Sequence, residues 1–194
     1  MILTLATRNA GKIREIKELL KDLPFEIKST IDFKQIGSIS ETGSTFQENA
    51  LIKARTVHKI VGGYVLADDS GLECNDLNGS PGVGSAYFAG PHATDDENNQ
   101  KLIQEMKQVH DPSRLARYVC VLALIDPQGK ETLVEETCEG LISFVAKGEG
   151  GFGYDPYFFL PDYGMTMAQL PLDEKNRISH RGKALMRLKK YVGA

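Results

Sequence analysis

The chain has 194 residues, a formal charge of −3 and 41% hydrophobic residues. A chain of this length usually folds as one domain and buries about 70% of its surface, so it needs neither a disulfide nor a structural metal for stability. The composition excludes collagen-like, low-complexity and mostly disordered proteins, and the mildly acidic charge argues against a surface that neutralises nucleic-acid phosphates.

Nothing in the sequence is typical of an exported or membrane protein. The apolar residues Ile2–Ala6 lead directly into polar Thr7, and no apolar run reaches the about 18 residues of a membrane helix. The three cysteines are far apart and form no C-x-x-C pair, which argues against a disulfide framework and a zinc site. We expect a cytoplasmic protein with a single domain over residues 1–194 and with neither a membrane nor a nucleic-acid polymer as partner.

The sequence begins with a predicted β-α-β unit. Ile2–Ala6 is a short apolar run typical of a buried strand. A helix follows, because apolar residues recur at helical spacing from Ile13 onward until Pro24 ends the pattern. Phe25–Ser29 is the second predicted strand.

A long helix, a strand and a long loop are predicted next. Thr45 and Glu48 match the T-x-x-E pattern of a capping box, and the helix that they open ends near Gly62. Val65–Ala67 follows as a strand. Asn75–Gly90 is rich in Gly, Pro, Ser and Asn, which is typical of a functional or mobile loop.

The remaining elements lead to a fold class. A second capping box at Thr94 opens a helix that reaches about Val109. Tyr118–Ile125 and Thr132–Val145 are β-rich runs joined by a D-P-Q-G turn, which predicts a hairpin, and a last helix covers about Ser179–Tyr191. We predict the α/β class: one domain with a long mixed β-sheet flanked by helices and an active-site cleft between two lobes.

The first candidate site is the polar turn between the first strand and the first helix. Its residues are Thr7, Arg8, Asn9, Ala10, Gly11 and Lys12. Backbone N–H groups at a helix start, the positive end of the helix dipole and a lysine together suit a phosphate chain. The turn is not a Walker A loop, because Ile13 follows the lysine where Ser or Thr is required. A helix start capped by Asn9 is the simpler alternative.

The second candidate site is the pair Asp68 and Asp69, which follows directly on the predicted strand Val65–Ala67. Ligands of α/β sheets usually bind at strand ends. Adjacent carboxylates repel each other unless a cation or a proton lies between them, so Mg²⁺ is a natural partner. The alternative is an Asp-Asp-Ser-Gly turn held by side-chain to backbone hydrogen bonds.

An aromatic segment and a basic segment are the third and fourth candidates. In G-G-F-G-Y-D-P the glycines let the backbone approach a flat ligand, on which Phe152 and Tyr154 stack. The alternative is a glycine-rich corner of the chain whose two aromatic side chains belong to the core. Lys175, His180 and Arg181 place cationic donors at the start of the last predicted helix. The positive helix dipole disfavours cations there unless an anion or carbonyl ligand binds, and a solvated basic face is the alternative.

Two single residues are weaker candidates. Glu41, in E-T-G, would supply a second metal carboxylate. Lys53 lies on the helix opened by Thr45 and faces either phosphate or water; we assign it as a substrate-binding candidate.

Six short motifs follow one another along the chain from Ile2 to about Lys190. They are A-T-R-N-A-G-K, E-T-G-S-T-F-x-E-N-A, A-D-D-S-G-L, P-G-V-G-S-A, F-G-Y-D-P-Y-F and S-H-R-G-K-A-L. In this order they resemble the motifs of the inosine/xanthosine triphosphate pyrophosphatase family. The resemblance implies a homodimeric enzyme that uses Mg²⁺ to cleave ITP, dITP and XTP to the monophosphate and pyrophosphate, which keeps deaminated purines out of DNA and RNA.

The resemblance also implies roles for residues at matching positions. Asp69 matches the general base and a metal-linked carboxylate, with Glu41 as a further metal ligand. Ser70 and the turn 7–12 match substrate contacts. Arg8 departs from the family, in which many members have Gly at this position. The groups that recognise the base match Phe152, Gly153, Tyr154, Asp155, Lys175, His180 and Arg181.

These residues permit attack of water on the α-phosphorus with pyrophosphate as the leaving group. Asp69 orients and deprotonates the water, and Mg²⁺ offsets charge on the phosphate oxygens. Because Arg181 has donors and no acceptor, it would bond a purine 6-oxo group and not the 6-amino group of adenine. Two rival functions stay open: a pyrophosphatase for other modified nucleotides, and a non-catalytic nucleotide sensor, against which the intact Asp68 and Asp69 argue.

Overall fold

The structure is a computed structural model that describes residues 1–192, and the elements within them confirm the predicted α/β class. The helices are α1 (Ala10–Leu19), α2 (Phe46–Val61), α3 (Asp95–Gln108), α4 (Leu172–Ile178) and α5 (His180–Val192). The strands are β1 (Ile2–Leu5), β2 (Glu26–Ser29), β3 (Tyr64–Cys74), β4 (Leu115–Ile125), β5 (Glu131–Ile142), β6 (Phe158–Leu160) and β7 (Met165–Thr166). No helix among these is both long and apolar enough to cross a bilayer.

The strands form one mixed sheet in the order β2-β1-β3-β4-β5-β6-β7. β1 is parallel to both β2 and β3, whereas β6 is antiparallel to both β5 and β7. Parallel neighbours need a crossover, and α1 supplies it between β1 and β2. The predicted β-α-β start and the predicted long mixed sheet flanked by helices are therefore confirmed.

The chain divides into two compact units, each with its own apolar core. The first unit comprises Met1–Asp69, Cys120–Glu136 and the chain from Arg181 onward, and the second comprises Ser70–Val119 and Thr137–His180. The first core includes Leu5, Ile16, Leu66, Leu122 and Leu185, and the second includes Leu72, Leu102, Met106, Tyr118 and Phe158. The single domain over the whole chain and the cleft between two lobes stay predictions.

Side-chain caps explain where α2 and α3 begin. At α3, Thr94 and Glu97 form the predicted capping box. At α2 the predicted box is only half present: the Thr45 hydroxyl accepts from the Glu48 N–H at 3.1 Å, but the Glu48 carboxylate accepts from the N–H and the hydroxyl of Ser44, at 2.7 and 2.9 Å. Ser44 offers two donors where the Thr45 backbone offers one, which explains the difference.

β3 extends beyond the predicted strand Val65–Ala67 and contains Asp68 and Asp69. The prediction that this pair follows the strand is wrong, and so is the alternative turn. Both carboxylates are buried and form ion pairs with lysine or arginine side chains, so their mutual repulsion does not end the strand.

The segment before the last helix also differs from the prediction. It contains β6, β7 and the short helix α4, none of which the sequence pattern indicated. Lys175 lies inside α4, so placing it at the start of the last helix is wrong; that helix begins at His180, close to the predicted start. With only seven residues, α4 is too short to show a clear apolar period.

Candidate active site

The turn between β1 and α1 begins as a capped helix, as its simpler interpretation predicts. The Asn9 side chain accepts from the Lys12 N–H at 3.0 Å. Ala10 and Gly11 form the first turn of α1, and the Lys12 Nζ reaches the Asp68 Oδ1 at 2.6 Å. The cap does not conflict with a phosphate role, because backbone N–H groups of the first turn remain available to an anion.

Two hydrogen bonds attach this turn to the segment after β2. The Arg8 Nη2 donates to the carbonyl oxygen of Ile36 at 2.6 Å, and the Thr30 hydroxyl donates to the carbonyl oxygen of Thr7 at 2.9 Å. Arg8 therefore has a protein partner in the segment that leads to Glu41. A contact between Arg8 and a substrate stays a prediction.

Glu41, Lys53 and Asp69 form the central cluster of the first unit. The Lys53 Nζ lies 2.9 Å from the Glu41 Oε2 and 2.5 Å from the Asp69 Oδ1. The sequence left open whether Lys53 faces phosphate or water; the side chain is buried, which excludes water. The E-T-G segment is held against α2 because the Asn49 Oδ1 accepts from the Gly43 N–H at 2.8 Å, and a Cβ at Gly43 would collide with α2.

The pKa values of the two carboxyl groups in this cluster move apart. Burial raises the pKa of Asp69 to about 6, and a hydrogen bond with Glu41 acts in the same direction. Burial also raises the pKa of Glu41, but the hydrogen bond with Asp69 and the Lys53 charge outweigh it and lower the net value. An Asp69 carboxylate with this pKa is ionised at neutral pH yet more basic than an ordinary aspartate, which suits a general base.

Asp68 and Arg181 belong to a buried ion-pair network in the same unit. The Arg181 Nε donates to the Asp68 Oδ2 at 2.7 Å, and its Nη1 donates to the Glu15 Oε2 at 2.6 Å. Although burial opposes ionisation, the charges of Arg181 and Lys12 hold the pKa of Asp68 well below its usual value. A solvated basic face is excluded for Arg181, which is 2% exposed, and its contact with a purine stays a prediction.

Asp155 organises the aromatic and basic cluster of the second unit. Its Oδ2 accepts from the Lys175 Nζ at 2.6 Å and from the Phe152 N–H at 2.9 Å, and its Oδ1 accepts from the Tyr118 hydroxyl at 3.1 Å. The Lys175 Nζ lies 4.9 Å from the centre of the Phe152 ring. The Tyr118 ring in turn stacks on His180, with centroids 4.6 Å apart. Lys175 and His180 are buried, which excludes a solvated basic face for them.

The two rings of the aromatic loop have different environments. Phe152 is half-buried, whereas Tyr154 packs into the core of the second unit and donates its hydroxyl to the Ser85 carbonyl oxygen at 2.8 Å. The core-aromatic alternative therefore applies to Tyr154, and Phe152 is the ring with exposed surface.

Sequence reasoning missed three residues of this cluster. Tyr118 lies in a largely apolar strand, where nothing in the sequence pattern except its hydroxyl group distinguishes it from its neighbours. Asp95 and Asn99 lie on α3, where the Asp95 Oδ2 accepts from the Gly153 N–H at 2.7 Å and the Asn99 Nδ2 donates to the Gly153 carbonyl oxygen at 2.9 Å. No pattern in the sequence connects α3 with the loop 152–155.

The carboxylates of Glu41 and Asp69 fit a divalent cation that also binds oxygen atoms of a ligand. Within residues 1–192, no group of three or more His, Cys, Asp or Glu side chains is placed to hold a metal. Glu41 and Asp69 nevertheless converge on the Lys53 ammonium group, so a metal cation that displaced this ammonium would find two carboxylates there. Mg²⁺ typically uses one or two carboxylates and completes its shell with water and phosphate oxygens, so these residues fit it.

The mixed α/β sheet, the carboxylate–lysine cluster and the aromatic–basic cluster together define a protein of the nucleotide-handling class. Residues 3–191 match the Ham1 family. The chain is 47% identical over 189 residues to a dITP/XTP pyrophosphatase of Bacillus anthracis, which covers 96% of this chain and 94% of that protein. It is 47% identical over 191 residues to a dITP/XTP pyrophosphatase of Geobacter sulfurreducens. This alignment covers 98% of this chain and 96% of that protein. The solved structure of a HAM1 protein from Coxiella burnetii superimposes with a TM-score of 0.91 at 42% identity, over 100% of this chain and 98% of that one.

The chain therefore belongs to the Ham1 family, as the six motifs indicated. The substrate contacts predicted for Ser70, which lies in β3, and for the turn 7–12 stay predictions.

Proposed function

We propose that the protein hydrolyses the deaminated purine nucleoside triphosphates ITP, dITP and XTP to the monophosphate and pyrophosphate. The observation that carries this proposal is the Glu41–Lys53–Asp69 cluster, in which burial raises the pKa of Asp69 to about 6. Relatives that are 47% identical over nearly their full length are named dITP/XTP pyrophosphatase, which supports the substrate class.

The chemistry is an attack of water on the α-phosphorus. Asp69 accepts a proton from the water as the new P–O bond forms, and the bond to pyrophosphate breaks. Lys12 and Lys53 offset negative charge on the phosphate oxygens. The N–H groups at the start of α1 bind one of the phosphate groups. A bound Mg²⁺, held by Glu41 and Asp69, would supply further neutralisation of the phosphate charge.

The aromatic–basic cluster is the part we assign to the base. The Phe152 ring offers a face for stacking, and Lys175 and His180 offer N–H donors. For Arg181, which belongs to the first unit, the purine contact is a separate prediction. Donors favour a 6-oxo over a 6-amino purine, because adenine would leave them unpaired.

We also propose that Mg²⁺ is the metal, that the protein is a cytoplasmic homodimer and that no nucleic-acid polymer is a partner. The oxygen ligands of Glu41 and Asp69 support Mg²⁺. The mildly acidic charge of −3 supports a small-molecule substrate over a polymer. The proposed homodimer rests on the family resemblance. The proposed cytoplasmic location rests on the substrate, because the nucleoside triphosphates to be hydrolysed belong to the cytoplasmic nucleotide pool.

The proposed reaction is tested with a panel of ITP, dITP, XTP, GTP, ATP and dUTP in the presence of Mg²⁺. We expect pyrophosphate from the first three and little turnover of ATP, whose 6-amino group leaves the donors unpaired, and of dUTP, which is not a purine. Release of inorganic phosphate instead, or turnover of dUTP alone, would contradict the proposal. Nucleotide binding without any turnover would indicate a sensor.

Asp69→Asn tests the general base. We expect turnover of ITP to fall by more than about 100-fold while ITP still binds, because the amide cannot accept the proton. Asp162→Asn, at an exposed position, is the control and should keep wild-type turnover. Normal turnover by Asp69→Asn would exclude this role.

A further inference from the structure

Two side chains of α3 hold one glycine of the aromatic loop 152–155. The Asp95 carboxylate accepts from the Gly153 N–H, and the Asn99 amide donates to the Gly153 carbonyl oxygen, at 2.7 and 2.9 Å. Asp95 and Asn99 are one helical turn apart, so their side chains project from the same face of α3. Gly153 has a φ of +63°, a conformation that residues with a side chain rarely adopt, and the two bonds hold it there.

The Asn99 side chain is buried although half of its amide is unsatisfied. Asn99 is 5% exposed, and within the described residues its Oδ1 has no hydrogen-bond partner. An unpaired buried oxygen is destabilising, so a purely structural helix position would favour an apolar residue. The bond from the Nδ2 to Gly153 is the contact that accounts for an amide at this position.

Movement at Gly153 would reach the groups assigned to the base. The neighbouring Phe152 N–H is bound to Asp155, and the same carboxylate oxygen accepts from Lys175. A change of the backbone angles at Gly153 reorients the peptide unit that it shares with Phe152 and would therefore shift the Phe152 ring and the Lys175 ammonium above it.

We propose that Asp95 and Asn99 are positioning residues for purine recognition: they fix Gly153, and through it the Phe152 ring and Lys175, without touching the nucleotide. This proposal rests on the proposed function, which assigns the loop to the base. It adds a contribution from α3 to substrate selection.

The test compares ITP with inorganic triphosphate, which has no base and serves as a competitive inhibitor. For Asp95→Ala and for Asn99→Ala we expect the KM of ITP to rise about fivefold to tenfold, which corresponds to the loss of one hydrogen bond. The kcat and the Ki of inorganic triphosphate should change by less than about twofold, because phosphate binding and chemistry belong to other residues. Asp96→Ala, an exposed acidic residue of the same helical turn, is the matched control and should keep the wild-type KM.

Two conservative variants separate hydrogen bonding from packing. Asp95→Asn keeps an acceptor for the Gly153 N–H and should retain the wild-type KM. Asn99→Asp keeps the size of the side chain but points a carboxylate oxygen at the Gly153 carbonyl, so it should raise the KM at least as much as Asn99→Ala. In a Phe152→Ala background, Asn99→Ala should raise the KM by clearly less than in the wild type, because the ring that it positions is absent and only the part that acts through Lys175 remains.

Three outcomes would overturn the positioning role. They are a wild-type KM in both alanine variants, an equal rise in the Ki of inorganic triphosphate, and additive effects of Asn99→Ala and Phe152→Ala. A wild-type protein that releases no pyrophosphate from ITP contradicts the proposed function instead. Calorimetric binding of ITP to the same variants, measured against inorganic triphosphate, then still decides whether Asp95 and Asn99 act on the base.

Discussion

One carboxylate, that of Asp155, connects the polar groups of the aromatic–basic cluster in the second unit. It accepts from the Lys175 ammonium, the Phe152 N–H and the Tyr118 hydroxyl, and the Tyr118 ring stacks on His180. Charge-assisted bonds of this kind are stronger than neutral ones, and in a buried site they fix the geometry of each partner. Tyr118 contacts both sides of the cluster, because its hydroxyl donates to Asp155 and its ring stacks on His180.

Tyr118→Phe removes this hydroxyl and leaves the ring in place. Since the stack on His180 and the contact with Phe158 persist, we expect a loss of about 1 kcal/mol in the free energy of unfolding and an increase of about threefold to fivefold in the KM of ITP. Urea unfolding and steady-state kinetics measure the two effects. Tyr64→Phe, in the first unit, is the control. Unchanged stability and KM would show that the hydroxyl contributes nothing.

At the scale of single residues, the sequence indicated the charged residues of the motifs but not the residues that hydrogen-bond to them or to the aromatic loop. Asp69 and Lys175 are candidates because a charge at a predicted strand end or helix start favours a ligand, whereas Lys53 is a weaker candidate on its helix. Tyr118 and Asn99 resemble ordinary strand and helix residues, and their contacts join positions 37 and 54 residues apart. Such contacts depend on packing, which a local pattern does not contain.

At the scale of elements, the long connection between β2 and α2 is attached at several points. Thr30 and Ile36 bind the turn before α1, and Gly43 binds Asn49 on α2. The segment that carries Glu41 is thus fixed on both sides, although it contains neither helix nor strand at that residue. Hydrogen bonds to loop backbone replace regular structure in placing this carboxylate.

Arg8→Ala removes the attachment at Ile36. We expect faster amide hydrogen exchange in residues 33–40 and a several-fold lower kcat/KM, because Glu41 is then less well fixed. Hydrogen exchange followed by mass spectrometry measures the first effect in the absence of nucleotide. Arg14→Ala, an exposed position on α1, is the control. Lower activity with unchanged exchange would assign Arg8 to the substrate instead.

Elements with clear end signals were predicted well, and those without were not. Thr94 and the D-P-Q-G turn marked the starts of α3 and β5 closely, because capping and turn chemistry are local. β3 was predicted too short because Asp68 and Asp69 look like the end of an apolar run. Only the tertiary ion pairs reveal that a strand can continue through them.

At the scale of the whole molecule, the net charge of −3 conceals a set of buried ions. Asp68 and Arg181 are each 2% exposed or less and are paired with each other. Such a pair is weak support for stability compared with an apolar replacement, but removing one partner leaves an uncompensated buried charge and is strongly destabilising.

Asp68→Asn is expected to lower the free energy of unfolding by about 3–5 kcal/mol near pH 7. Because the folded pKa of Asp68 lies well below its usual value, its contribution is present above about pH 3.8 and is lost as the pH falls from there through the depressed folded pKa. The difference between variant and wild type should therefore shrink in acid. Urea unfolding at pH 7 and pH 3 measures it, with Asp162→Asn as control. An equal difference at both pH values would contradict this.

The three cysteines offer a way to follow local opening of this fold. Cys74, Cys120 and Cys138 are all buried, and burial raises the pKa of Cys74 to about 12, so its reactive thiolate is scarce in the folded chain. Cys120 lies in the first unit, where its Sγ is 3.5 Å from the Asp68 Oδ2, and the other two lie in the second. The alkylation rates of the three sulfur atoms therefore measure local opening in each unit separately: that of Cys120 follows the surroundings of Asp68 in the first unit, and those of Cys74 and Cys138 follow the second unit.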